Sequence, residues 1–225
     1  MKTRTLALLL CAMLVLAAAT LGTIAYMTDA SGALNRFTVG DVDLWVDETA
    51  VDTSGAPIPG ANRVEQNDYH LLPGHSYAKD PRVTVAGGSE SCYVRMLVTV
   101  NCSSQLGAIF PEGFRPQDHL SGWDAAVWPC VSVTEDASAN TVTYELRYHN
   151  PEVSDPEQAQ VVLPGEDDLT LPALFTALTI PDEITGAQLA TLSGLEIRVV
   201  GQAIQAAVFP SANEAWIAFE EQVNP

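Results

Sequence analysis

The sequence predicts an all-β protein, a β-sandwich of about eight strands with a few short helices. Three observations predict it. Short segments of apolar–polar alternation recur along the chain, and a period of two is the mark of a half-buried strand. Gly, Pro, Asp and Asn separate these segments, as turns require. Stretches with helical spacing are few and short, so two packed sheets, rather than helices on a sheet, are the expected way to close the core.

The chain opens with Lys2 and Arg4, then an apolar run from Leu6 to Ala19, then the small residues Thr23 and Ala25. A positive start, an apolar middle and a small-residue exit predict a secretory signal over residues 1–25, with cleavage between Ala25 and Tyr26. The alternative is an uncleaved anchor over Leu6–Met27, which is about long enough to cross a bilayer. No positive cluster follows it to stop transfer, so membrane residence is expected only before cleavage. Residues 26–225 are then one exported domain, long enough to bury a core.

Phe37–Val46 is the first strand candidate. Its apolar parity changes at Gly40, which predicts a bulge or bend there. Arg82–Val85 is a weaker candidate. Cys92–Cys102 alternates most clearly, with Val94, Met96, Val98 and Val100 on one face and Tyr93, Arg95, Leu97 and Thr99 on the other. Thr141–Tyr148 repeats the pattern and Leu195–Val199 follows it more briefly; Val131–Thr134, Gln160–Leu163 and Ala173–Ile180 are weaker. Two helices are expected. One spans Thr185–Ser193. The other spans Ser211–Gln222, where Ser211 and Glu214 have capping-box spacing and Trp216 and Phe219 share a face. Two irregular stretches remain, Glu48–Tyr69 and Asn101–Pro129. The second makes 101–130 an insertion between strands, and its Trp123 and Trp128 suggest that it packs on the body.

Composition narrows the function. The chain has 28 acidic and 10 basic residues, for a net charge of −18. All the acids, and every base except Lys2 and Arg4, follow Ala25. A nucleic-acid partner is therefore not expected, because phosphate binding needs clustered Lys and Arg. Three cysteines follow the signal. Cys92 and Cys102 lie near opposite ends of one strand, where ten residues span about 33 Å, so Cys102–Cys130 is the more plausible disulfide. Three thiols without a bond is the alternative.

Catalytic patterns are weak. The four histidines, His70, His75, His119 and His149, form no His-Glu-x-x-His pair. His70 and His75 flank the Pro73-Gly74 turn and could converge only across it. Gly87-Gly88-Ser89-Glu90-Ser91 misses the nucleophile-elbow pattern at its last position and reads as a turn. Asp41, Asp43 and Asp47 share a strand face, and Glu166, Asp167 and Asp168 crowd one turn. Either set has oxygen ligands for Ca²⁺, but neither has EF-hand spacing, and a solvated face is the better reading. No enzyme activity, no cofactor and no metal site are expected.

Several blocks carry a resemblance. Leu21-Gly22-Thr23-Ile24-Ala25-Tyr26-Met27-Thr28-Asp29 and Asn35-Arg36-Phe37-Thr38-Val39-Gly40-Asp41-Val42-Asp43-Leu44 resemble the signal region and first strand of the TasA and camelysin (CalY) proteins. Leu72-Pro73-Gly74, Lys79-Asp80-Pro81-Arg82-Val83-Thr84-Val85 and Tyr93-Val94-Arg95 are similar to a second block of that family. Leu174-Phe175-Thr176, Ile197–Ala206 and Glu214-Ala215-Trp216 with Phe219 are similar to its C-terminal part. The resemblance implies a jelly-roll protein of the bacterial biofilm matrix, exported through a SipW-type signal peptidase. It implies self-assembly into fibres, together with other matrix proteins as partners. The donor strand would be Tyr26-Met27-Thr28-Asp29-Ala30-Ser31-Gly32-Ala33-Leu34-Asn35-Arg36, added to a neighbour's sheet once cleavage frees it. The alternatives are a secreted metalloprotease, as camelysin-like proteins have been classed, and a monomeric surface adhesin or binding module.

Overall fold

The clearest alternating run of the sequence becomes the central strand of the largest sheet. In the computed structural model, residues 28–32, 35–37, 42–110 and 116–223 are described, the first two segments by backbone alone. The expected signal over 1–25, the cleavage junction at Ala25 and Tyr26, the donor-strand residues Met27, Ala33 and Leu34, and the bend at Gly40 lie outside the described residues.

Among the described residues the strands are β1 (Thr28–Gly32), β2 (Asn35–Phe37), β3 (Leu44–Asp47), β4 (Ser76–Ala78), β5 (Arg82–Val85), β6 (Cys92–Asn101), β7 (Leu120–Ser121), β8 (Cys130–Asp136), β9 (Thr141–Arg147), β10 (Val161–Val162), β11 (Leu169–Thr170), β12 (Ala177–Thr179) and β13 (Ile197–Gln205). The helices are α1 (Ser103–Ile109), α2 (Pro116–His119), α3 (Gly186–Thr191) and α4 (Ala212–Val223). All strand pairs are antiparallel. The protein is therefore mostly antiparallel β with few short helices, as expected. The strands make three sheets rather than two. The large sheet has the order β2-β1-β13-β6-β9-β8, with β10 also on β6; the others are β11-β5-β3 and β4-β12-β7.

The main core lies between the large sheet and β11-β5-β3. Val94, Met96, Val98 and Val100 of β6 meet Leu44, Val83 and Val85, and all are buried. Burying each such side chain contributes about 1.5–3 kcal/mol. Gly201 of β13 sets how closely the sheets approach, since a Cβ there would lie 2.7 Å from Val46 Cγ2 and 3.1 Å from Val83 Cγ2. The other face of β6 is not the half-open surface its alternation suggests, because α4 covers part of it. Tyr93 and Ile204 pack there with Ala215, Trp216 and Phe219. Helix α4 carries the expected shared face, with the Trp216 and Phe219 rings edge to face at 5.6 Å. Ser211 Oγ accepts the Glu214 N–H at 3.3 Å.

The stretch 101–130 is built into the body. It supplies α1, α2 and β7, and β7 joins the third sheet by pairing Leu120 with Leu178. Trp128 is fully buried, its indole N–H donating to the Pro172 carbonyl at 3.1 Å. The helix expected at Thr185–Ser193 is α3, started by a capping box between Thr185 and Gln188. The Leu195–Val199 strand extends to Gln205, while Ala173–Ile180 contracts to the three residues of β12. Among the described residues no helix is long and apolar enough to cross a membrane.

Candidate assembly site at the sheet edge

The described part of the expected donor strand lies on this chain's own large sheet. β1 pairs with β13, Thr28 opposite Ile204, Asp29 opposite Ala203, Ala30 opposite Gln202 and Ser31 opposite Gly201. β2 pairs on the outer side of β1, Arg36 opposite Ser31 and Asn35 opposite Gly32. The strand that receives β1 is firmly backed. Gly201 is pressed against β3 and β5 on one face, and Ile204 is fully buried under α4 on the other.

Arg95 ties this backing together. Its Nε donates to Gln202 Oε1 of β13 at 2.7 Å and its Nη1 to Glu145 Oε1 of β9 at 3.3 Å. Its Nη2 donates to Glu220 of α4. The guanidinium also lies over the Trp216 ring at 4.3 Å and the Phe219 ring at 5.1 Å, a cation–π arrangement. Arg147 extends the network to Glu145 at 2.7 Å and Asn213 at 2.7 Å. Burial raises the Glu145 carboxyl, but the Arg147 hydrogen bond and the charges of Arg147 and Arg95 outweigh it. The carboxyl is held below its ordinary value. The alternation of β6 put Arg95 on the correct face, but its burial was not legible there.

The opposite edge of the sheet is β8. It is exposed along its whole length, Val131 and Val133 included. Its single neighbour among the described residues is β9.

The cysteine expectation is corrected. Cys92, Cys102 and Cys130 are free thiols. Cys130 sits opposite Leu146, whereas Cys102 follows Asn101, which pairs with Thr141 at the other end of β9. Five residues of strand, about 17 Å, separate the two levels, far beyond disulfide reach. Burial pushes the Cys92 thiol up to about 12.

The four histidines make separate contacts. His75 Nε2 contacts the Ser54 carbonyl at 2.9 Å, the His70 carbonyl accepts the Tyr77 hydroxyl, His119 packs on Phe110, and His149 Nδ1 contacts the Ala126 carbonyl at 3.1 Å. Asp47 is bound by Arg63 at 2.5 Å. In the other acidic cluster, Asp168 accepts the Gly87 N–H at 2.9 Å, which ties down the turn that Gly87–Ser91 was expected to be. Among the described residues no group of three or more His, Cys, Asp or Glu is placed to hold a metal ion.

One polar cluster has no counterpart in the expectations. Glu48 and Lys79, both buried, meet with Lys79 Nζ 2.6 Å from Glu48 Oε2. Asn67 Nδ2 donates to Glu48 Oε1 at 3.0 Å and to the Thr49 carbonyl at 2.9 Å, while Asn67 Oδ1 accepts the Val51 N–H at 2.9 Å. Beside them Arg63 binds Asp80 at 2.9 Å. Burial opposes ionisation of the Asp80 carboxyl, yet hydrogen bonds from Arg63 and Thr49 keep its pKa below the ordinary value. Only proximity in the fold reveals the cluster, since Glu48 and Lys79 lie on opposite sides of the irregular stretch that holds Asn67.

Comparison with known protein families, with curated proteins and with solved structures finds no match in any of the three.

Proposed function

We propose that the chain is a secreted, non-enzymatic structural subunit of a bacterial extracellular matrix. In this reading it is a jelly-roll variant of the TasA and camelysin type that polymerises by exchanging its N-terminal strand. The observation that carries the reading is the seat of residues 28–32, a strand in antiparallel register on the firmly backed strand β13. A segment that completes its own sheet can complete a neighbour's by the same hydrogen bonds, which is the logic of strand exchange between identical subunits. The sequence of the segment suits exchange: Asp29, Ser31 and Gly32 leave it few large apolar side chains, so little holds it in its own chain. Signal removal between Ala25 and Tyr26 would free the segment, and processing by a SipW-type peptidase would then gate assembly outside the cell.

The test is deletion of residues 26–36 from the exported chain. The expected product is a folded monomer that makes no filaments by electron microscopy under conditions where the full mature chain does. Filaments at unchanged yield from the deleted chain would sink the proposal.

A further inference from the structure

The long loop between β3 and β4 raises a question of what holds it. Residues 49–75 contribute no strand, only the isolated bridges of Glu48 with Val64 and of Val51 with Pro57. The free cysteines all lie elsewhere. Arg63 ties the loop to Asp47 and Asp80, and Tyr69 ties it to the Ala78 carbonyl; the Glu48–Lys79–Asn67 cluster is a further tie, and its geometry has a chemical meaning.

Three features coincide. First, an amine and a carboxamide meet on one buried carboxylate, Lys79 Nζ at Glu48 Oε2 and Asn67 Nδ2 at Glu48 Oε1. Second, the amide is oriented and polarised. Its oxygen accepts the Val51 N–H, and its nitrogen faces two acceptors, Glu48 and the Thr49 carbonyl. Flipping the amide would set donor against donor and acceptor against acceptor, so the network itself assigns it. Third, the carboxylate and the amine are shielded from water, with Asn67 half-buried beside them. Glu48 is 3% and Lys79 8% exposed, and the Tyr69 ring lies 5.7 Å from Nζ.

We infer that Lys79 and Asn67 form an intramolecular amide bond, with Glu48 as the proton carrier. Glu48 takes a proton from the Lys79 ammonium, and the freed amine attacks Asn67 Cγ. Charge developing on Oδ1 is met by the Val51 N–H, in the manner of an oxyanion hole. The Glu48 carboxyl turns to bring that proton to Nδ2, the Cγ–Nδ2 bond breaks, and the departing ammonia takes the second proton of Nζ, relayed by the Glu48 carboxylate, and leaves as ammonium. The new Nζ–Cγ bond joins the two side chains as a secondary amide. In net terms an ammonium and a carboxamide become a secondary amide and an ammonium ion. Nothing is oxidised or reduced and no co-reactant is consumed. The carboxylate acts as base and then acid on two groups already within hydrogen-bond reach, which is the geometric requirement for such catalysis. The product closes the chain from Asn67 to Lys79 into a ring and anchors the loop covalently beside β4.

Mass spectrometry of the mature full-length chain under denaturing conditions tests this, with its N-terminus set by sequencing. The expected intact mass is lower than the sequence mass by one ammonia. Trypsin does not cut after an acylated lysine, so the expected peptide runs from Val64 to Arg82, uncut at Lys79 and lighter by one ammonia. A peptide from Val64 to Lys79 at its full sequence mass, as the main form, overturns the inference. In Glu48→Gln the carrier is lost, and the full-mass Val64–Lys79 peptide should replace the light one while the circular-dichroism spectrum stays that of the parent. Retention of the ammonia loss in Glu48→Gln overturns the role of Glu48. Its retention in Asn67→Ala overturns the bond, because the lost nitrogen would then come from elsewhere. The wild-type measurement stands even if a variant fails to fold.

Discussion

Arg95 and Lys79 are the two most buried cations among the described residues, 3% and 8% exposed, and the protein treats them differently. Arg95 is saturated. Two carboxylates, one carboxamide and two aromatic faces surround its planar fork. Lys79 has three N–H donors and, among the described residues, one hydrogen-bonding side chain, which it shares with Asn67. The guanidinium is weakly hydrated, never loses its proton and offers donors in fixed directions, so it suits a permanent junction of β6, β9, β13 and α4. The ammonium is a compact charge whose proton can move, and a lysine that gives up that proton is a nucleophile. One site is therefore a rivet and the other is arranged for chemistry.

The largest effect should come from breaking the rivet. Arg95→Ala removes the cation from Glu145 and Glu220 and the cover from Trp216 and Phe219. Glu220 is half exposed and Glu145 keeps Arg147, which limits the loss to about 4 kcal/mol. Urea unfolding followed by tryptophan fluorescence reads it. Relative to the chain in which the amide has not formed, Lys79→Met leaves Glu48 buried without its cation and should cost about 3 kcal/mol. Adding Glu48→Gln to it should recover most of that loss, since a buried charge no longer lacks a partner. Equal stability of the single and double variants would break the comparison. Arg95→Lys keeps the charge but loses the fork, for about 2 kcal/mol. It separates geometry from charge at the rivet, and a loss as large as that of Arg95→Ala would mean that charge counts for nothing there.

Acid acts on both regions. The Glu145 carboxyl lies below its ordinary 4.5 and the Asp80 carboxyl below its ordinary 3.8. With the folded values depressed, the unfolded chain takes up protons first as pH falls. The stabilisation is complete above about pH 5 and is lost progressively as pH drops through the folded values. Thermal melts from pH 7 to pH 3 should show this decline, and Glu145→Gln should flatten it. The smallest effect belongs to a position far from either cation. Val133→Thr on exposed β8 should shift stability by no more than about 0.5 kcal/mol.

The two buried cations were unequally legible before the fold. Alternation in Cys92–Cys102 set the face of Arg95, and the Trp216–Phe219 pair marked an apolar helix face, but nothing local joined the two. Glu145 and Glu220 lie 50 and 125 residues from Arg95, and each alone reads as a surface acid. The Glu48–Lys79–Asn67 cluster left still less trace, because irregular loops carry no period from which side-chain direction can be read. The cysteines mislead for a related reason. Cys102 and Cys130 flank one insertion, yet β8 enters the sheet at the Leu146 end of β9, and that register is a property of strand pairing alone.

What the sequence determined by itself was local. It specified the strands of β5, β6 and β9, the helix α4 and the two faces of the central strand, because backbone period and turn chemistry act over a few residues. Only the tertiary structure decided which surfaces those strands cover. It set three sheets rather than two, seated residues 28–32 on β13, buried Arg95 under α4 and brought Lys79 and Asn67 onto one carboxylate. Those outcomes depend on contacts between residues far apart in the chain, where burial and hydrogen-bond satisfaction, not local preference, carry the free energy.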